Sequence, residues 1–188
     1  MLRVTRPVME KLAYGNRSAE VVAVAAAPQR SLKDIRLPSD ALVLVLEGLE
    51  KPGNVGAIVR TADGAGAHAV VVTGAQTDLY NPNAIRASLG TTFTVPLSAA
   101  TPEEAIAWCL EHKLQIIAAR VDAAEDYTGV DYRRPTALVL GSEAAGLSAA
   151  WSSEAIRPVR LPMLGAADSL NVSATAAVLC YEARRQRK

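Results

Sequence analysis

Ala137-Leu138-Val139-Leu140-Gly141-Ser142-Glu143-Ala144-Ala145-Gly146-Leu147 changes character at its glycine. The apolar residues before Gly141, bounded by turn formers, read as a strand buried on both faces. A side chain at Gly141 would obstruct whatever lies over the strand end. Glu143 is then a single carboxylate in a small-residue loop beyond a strand's carboxyl end, where open α/β sheets bind ligands. A second reading makes Glu143 a helix-start acid that favours the dipole of the next segment. The G-x-S-x-G pattern of a nucleophile elbow is absent.

Similar strand-like runs flank this one at 41–46, 68–73, 92–97, 114–119 and 157–161. Helical stretches intervene at 54–66, 80–89, 102–112, 144–153 and 171–186. This alternation predicts an α/β fold, a mainly parallel sheet with helices on both faces. Thr101-Pro102-Glu103-Glu104 is a well-formed helix start, with a cap, Pro at the first position and acids in the first turn. Residues 1–40 have mixed character and form an N-terminal extension; the regular pattern makes one domain of 41–188.

With 188 residues, 50% of them hydrophobic and only 4% aromatic, the core must be built from aliphatic side chains. Cys109 and Cys180 sit in helical stretches with no metal-ligand spacing and read as core thiols, so no metal is expected. His68 opens a strand and His112 ends a helix, both structural positions. No signal segment or apolar run of about 18 residues is present, which predicts a soluble cytoplasmic protein without a membrane partner. Asn16-Arg17-Ser18 and Asn171-Val172-Ser173 match the glycosylation pattern, but nothing supports a secretory route. The net charge is +1, unevenly spread: residues 1–36 hold seven Lys/Arg against three Asp/Glu, and 181–188 hold four against one. Basic ends suit phosphate contact. Arg184, Arg185, Arg187 and Lys188 equally suit a helix C-terminus.

Two further blocks carry polar groups. In Leu46-Glu47-Gly48-Leu49-Glu50-Lys51-Pro52-Gly53-Asn54-Val55-Gly56-Ala57-Ile58-Val59-Arg60, a Pro-Gly turn leads to Asn54, a natural N-cap. Gly56 permits close approach of a backbone or ligand. Arg60 suits either a phosphate–ribose grip or an ion pair with Glu50 or Asp63. In Leu161-Pro162-Met163-Leu164-Gly165-Ala166-Ala167-Asp168-Ser169-Leu170-Asn171-Val172-Ser173, Pro162 marks a strand end, and the loop offers free backbone groups for a purine edge. Ser169 is a plausible helix N-cap, and Asn171 can donate and accept at once.

Together, in this order, the three blocks resemble the signature motifs of the SpoU/TrmH family of RNA 2′-O-ribose methyltransferases, of the SPOUT superfamily. Tyr80-Asn81-Pro82-Asn83 and Arg86-Ala87-Ser88-Leu89-Gly90 resemble its intermotif helix. The resemblance implies a C-terminal deep trefoil knot that periodicity cannot show. It implies S-adenosylmethionine bound in bent form against the knot, with Leu140, Gly141, Leu161, Met163 and Leu170 around it. Asn54, Arg60, Glu143, Ser169 and Asn171 match the family's polar active-site positions. A homodimer is implied, with Arg60 serving the partner's cofactor, and an RNA substrate, ribosomal RNA ahead of tRNA. Many relatives carry a separate RNA-recruiting domain before the catalytic one; Met1 to Leu37 looks like the tail of one. A rival is a non-catalytic RNA-binding relative. A nucleotide-dependent oxidoreductase is disfavoured because Gly53-x-x-Gly56 lacks the dinucleotide fingerprint.

Overall fold

The computed structural model describes residues 1–15, 19–74 and 78–187. Strands β1 (Leu42–Glu47), β2 (Ala69–Thr73), β3 (Leu97–Ala100), β4 (Gln115–Ala119), β5 (Thr136–Leu140) and β6 (Ile156–Val159) form one six-stranded sheet in the order 3-2-1-5-4-6. Every neighbouring pair is parallel. Helices α1 (Arg6–Leu12), α2 (Pro52–Ala65), α3 (Pro82–Ala87), α4 (Pro102–Glu111) and α5 (Val172–Gln186) complete the fold.

Strand alternation divides the core into two layers. Leu42, Leu44 and Leu46 of β1 point to one face, where α2 supplies Val55, Ile58, Val59 and Ala62, and α5 supplies Ala176, Leu179 and Cys180. Val43 and Val45 point to the other, against Trp108 and Cys109 of α4 and the buried Trp151. Each fully buried Val or Leu contributes about 1.5–3 kcal/mol, so the expected aliphatic core is present on both sides of the sheet. Burial pushes both thiols up to about 12, as inert core cysteines require.

Local chemistry explains most boundaries. Thr101 caps α4 with Glu104 in a reciprocal capping box. Three expectations are corrected. Residues 92–97 are not a strand: Thr91–Phe93 is a 3-10 turn and β3 begins at Leu97, because Pro96 has no N–H and enters the ladder only by its carbonyl, which accepts from Val70 N at 2.9 Å. Residues 144–153 hold no α-helix; Gly146 adopts φ +67 and turns the chain back, leaving only a 3-10 turn at Ala149–Ser152. The second reading of Glu143, as a helix-start acid, falls with that helix. The cap of α2 is Lys51 rather than Asn54, since Pro52 starts the helix earlier.

From the edge strand β6 the chain runs beside residues 125–127, where Arg160 N donates to Glu125 O at 2.9 Å, then crosses to α5 against α2 and β5. This route is consistent with the expected knot. At the far end of α5, Arg187 donates to the carbonyls of Asp40, Ala41, Tyr132 and Arg134, and Arg185 pairs with Glu182. Those basic residues serve the fold. Lys188 and the Asn16-Arg17-Ser18 sequon lie outside the described residues.

Candidate active site

Beyond the carboxyl ends of β4, β5 and β6, three loops enclose a cavity of about 430 Å³. Leu140, Gly141, Leu161, Met163 and Leu170 all line it, with Glu143 and Ser169. The loop after β5 forms its wall by doubling back: Gly146 N donates to Ser142 O at 3.0 Å, and Ala145 N to Ser142 Oγ at 3.0 Å. A Cβ on Gly141 would lie 2.3 Å from both C and O of Gly146. No other residue fits there. The loop after β6 contributes differently. Among the described residues, none of 161–170 makes a backbone–backbone hydrogen bond, so their N–H and C=O groups are open to a ligand.

Glu143 joins the three sequence blocks. Lys51 Nζ donates to its Oε2 at 3.1 Å, Asn54 Nδ2 to its Oε1 at 3.3 Å, and Asn171 Nδ2 also to Oε1. The hydrogen bond from Lys51 is the main reason its carboxyl lies below the ordinary range. Asn171 faces two ways: its Oδ1 accepts from Ser173 N at 2.9 Å, capping α5. Ser169 is therefore not the cap. It lies before the helix on the cavity wall, its hydroxyl donating to Asp168 Oδ1 at 3.2 Å.

Arg60 stands apart. It is exposed, does not line the cavity, and makes no hydrogen bond or ion pair among the described residues, so neither Glu50 nor Asp63 holds it. Gly56 lies one helical turn before it on the same face, and there α2 meets α3: a Cβ on Gly56 would be 2.3 Å from Ala84 O. The close approach expected at Gly56 is thus made by another backbone.

Sequence reasoning missed the loop after β4. Arg120 and Asp122 line the cavity as a bidentate pair at 2.9 and 3.0 Å, and Arg120 Nη1 also donates to Ser152 Oγ at 3.2 Å. That hydrogen bonding lowers the Asp122 carboxyl. The signal was available: Arg120 follows a strand's carboxyl end as Gly141 does. Lys51 was missed because a lysine in a turn reads as solvent-facing.

The lining fits S-adenosylmethionine: apolar walls from Leu140, Val159 and Leu161 for a purine, open backbone groups for its edge, and the Asp168 carboxylate for its positive charge. No group of three His, Cys, Asp or Glu among the described residues is arranged to hold a metal.

Residues 41–181 match the model of the SpoU rRNA Methylase family. The 23S rRNA (uridine(2479)-2′-O)-methyltransferase of Streptomyces viridochromogenes is 36% identical over 174 residues, covering 89% of this chain, which spans 61% of that relative's length. A crystal structure of an RNA 2′-O ribose methyltransferase superposes with TM-score 0.85 at 46% identity, covering 98% of this chain and 71% of the other. The SpoU methyltransferase AviRb from Streptomyces viridochromogenes, in complex with AdoMet, superposes with TM-score 0.92 at 33% identity, covering 99% of this chain and 73% of the other.

Proposed function

The chain belongs to the SpoU rRNA methylase family, and from that premise we propose that it transfers a methyl group from S-adenosylmethionine to a ribose 2′-hydroxyl of ribosomal RNA. The observation that carries this reading is the cavity at the sheet's carboxyl edge, with Glu143 tying together Lys51, Asn54 and Asn171 beside it. S-adenosylmethionine, when bound, supplies a methyl already activated on a sulfonium.

What the chain must add is position and charge. Leu140, Leu161 and Leu170 hold the purine part through apolar contact and backbone groups, while Gly141 leaves room for the loop that closes over them. Glu143, fixed by its donors, orients Asn54 and Asn171 at the cavity mouth. The 2′-hydroxyl is a weak acid whose developing oxyanion needs a nearby positive charge. Arg60 fills this role as phosphate–ribose clamp and charge stabiliser; a guanidinium has no acceptor and keeps its own proton, so it is not the base. Arg60 is exposed and does not line its own chain's cavity, and it serves the cavity of a second copy in a homodimer.

The C-terminal part of the chain threads the knot, and the protein acts in the cytoplasm. No helix among the described residues is long and apolar enough to cross a membrane. The test is transfer of labelled methyl from S-adenosylmethionine to unmodified ribosomal RNA, followed by alkaline hydrolysis. A labelled dinucleotide resistant to alkali is expected, because a methylated 2′-oxygen cannot attack its phosphate. Label confined to bases, or none with a folded, cofactor-binding protein, contradicts the proposal.

A further inference from the structure

Glu47 ends β1 and is the one charged residue among the described residues that is buried, 7% exposed. The mechanism above gives it no role. Burying a carboxylate is costly unless its oxygens accept hydrogen bonds, and here a single residue satisfies both: Ser148 N donates to Oε2 at 2.7 Å and Ser148 Oγ to Oε1 at 2.8 Å. Ser148 directly follows 141–147, the loop that walls the cavity.

Alternation along β1 sends Glu47 to the face of Val43 and Val45, where Leu147 and Trp151 also pack. The loop is therefore fixed at one end by β5 and at the other by Glu47. A second tie between the same chain regions, Lys51 to Glu143, has side chains 73% and 35% exposed. Exposed pairs of that kind hold little against solvent, so the buried tie dominates.

We propose that Glu47 is a positioning residue: its carboxylate latches Ser148 and thereby holds loop 141–147 in the shape that forms the cofactor cavity. This rests on the methyltransferase reading and names a new residue for it. A carboxylate that only stabilised the fold would lower the melting temperature without changing the affinity of the protein that remains folded.

The test uses the full chain, titrated with S-adenosylhomocysteine, with amide hydrogen exchange read at 142–148. Glu47→Ala weakens binding about tenfold or more and speeds exchange across the loop. Glu47→Gln restores most of the affinity, because its carbonyl accepts from Ser148 N–H while its amide donates to the hydroxyl. Ser148→Ala, which keeps the backbone bond, costs about threefold; should Glu47→Ala fail to fold, this variant decides. Wild-type affinity and exchange in Ser148→Ala and in folded Glu47→Ala would overturn the latch. A wild-type protein that binds no S-adenosylhomocysteine would refute the methyltransferase reading instead, and the exchange comparison would still decide whether Glu47 holds the loop.

Discussion

Glu143 and Arg60 sit in very different surroundings. Glu143 accepts from three side chains drawn from the β1–α2 turn, the start of α2 and the cap of α5. Arg60, less than two turns along α2 from Asn54, is exposed with no partner among the described residues. The first region is finished within one chain; the second is not. A cofactor cavity must be preorganised before its ligand arrives, whereas a clamp for RNA gains from a guanidinium left free for phosphate. The difference separates a cavity side whose polar groups already have partners within one chain from a guanidinium that, on the proposed reading, is left for RNA phosphate beside a second copy's cavity.

Substitutions that act on one side only test that contrast. The largest effect is expected from Arg60→Ala, which lowers turnover about a hundred- to thousandfold while leaving the S-adenosylhomocysteine affinity unchanged; parallel methyl-transfer assays and calorimetry read the two. Lost cofactor binding in a folded variant would remove the distinction. Gly141→Ala acts on the other side. Its Cβ meets Gly146 at 2.3 Å, so the loop must move, at about 1–3 kcal/mol, and affinity falls about tenfold or more. Thermal unfolding with and without ligand separates these effects.

Asn171→Ala removes a cap and a Glu143 donor together, costing about 1 kcal/mol of stability, or about 2–4 °C in Tm for a chain of this size, with a further loss of affinity. The smallest effect is on acidity. The Glu143 carboxyl titrates below its ordinary 4.5, chiefly through the hydrogen bond from Lys51. Its folded value is depressed, so its stabilisation is complete above about 4.5 and fades as pH falls through the lower folded value. Carboxyl NMR titration should place Glu143 below 4.5, and Lys51→Ala should move it back up.

Much of the fold was legible because parallel strands buried on both faces are continuous apolar runs. Leu138 to Leu140 and Val43 to Leu46 read as strands through their short length and the turn residues beside them. The reading failed where a tertiary constraint overrode a local one. Ala144 to Trp151 is rich in helix formers, yet the loop must fold over Gly141 and Trp151 must reach the core, so no helix forms. At the α5 start the expected cap, Ser169, stands two residues before the actual one, Asn171, and the bond to Ser173 N identifies the latter. The residues placed around the cofactor came from the resemblance, and the cavity gathers them. Arg120 and Asp122 lie outside the quoted blocks, and Glu47, inside one of them, had no role there; what marks all three is position at a strand's carboxyl end, a signal visible once the sheet is known.

Calorimetric titration of the folded chain with S-adenosylhomocysteine tests the central claim most directly, because it needs neither RNA nor an RNA-recruiting domain. Saturable binding of about one ligand per chain, weakened about tenfold or more in Gly141→Ala and kept in Arg60→Ala, is the expected result. A folded protein that shows no binding heat and no shift in Tm at saturating ligand would contradict it.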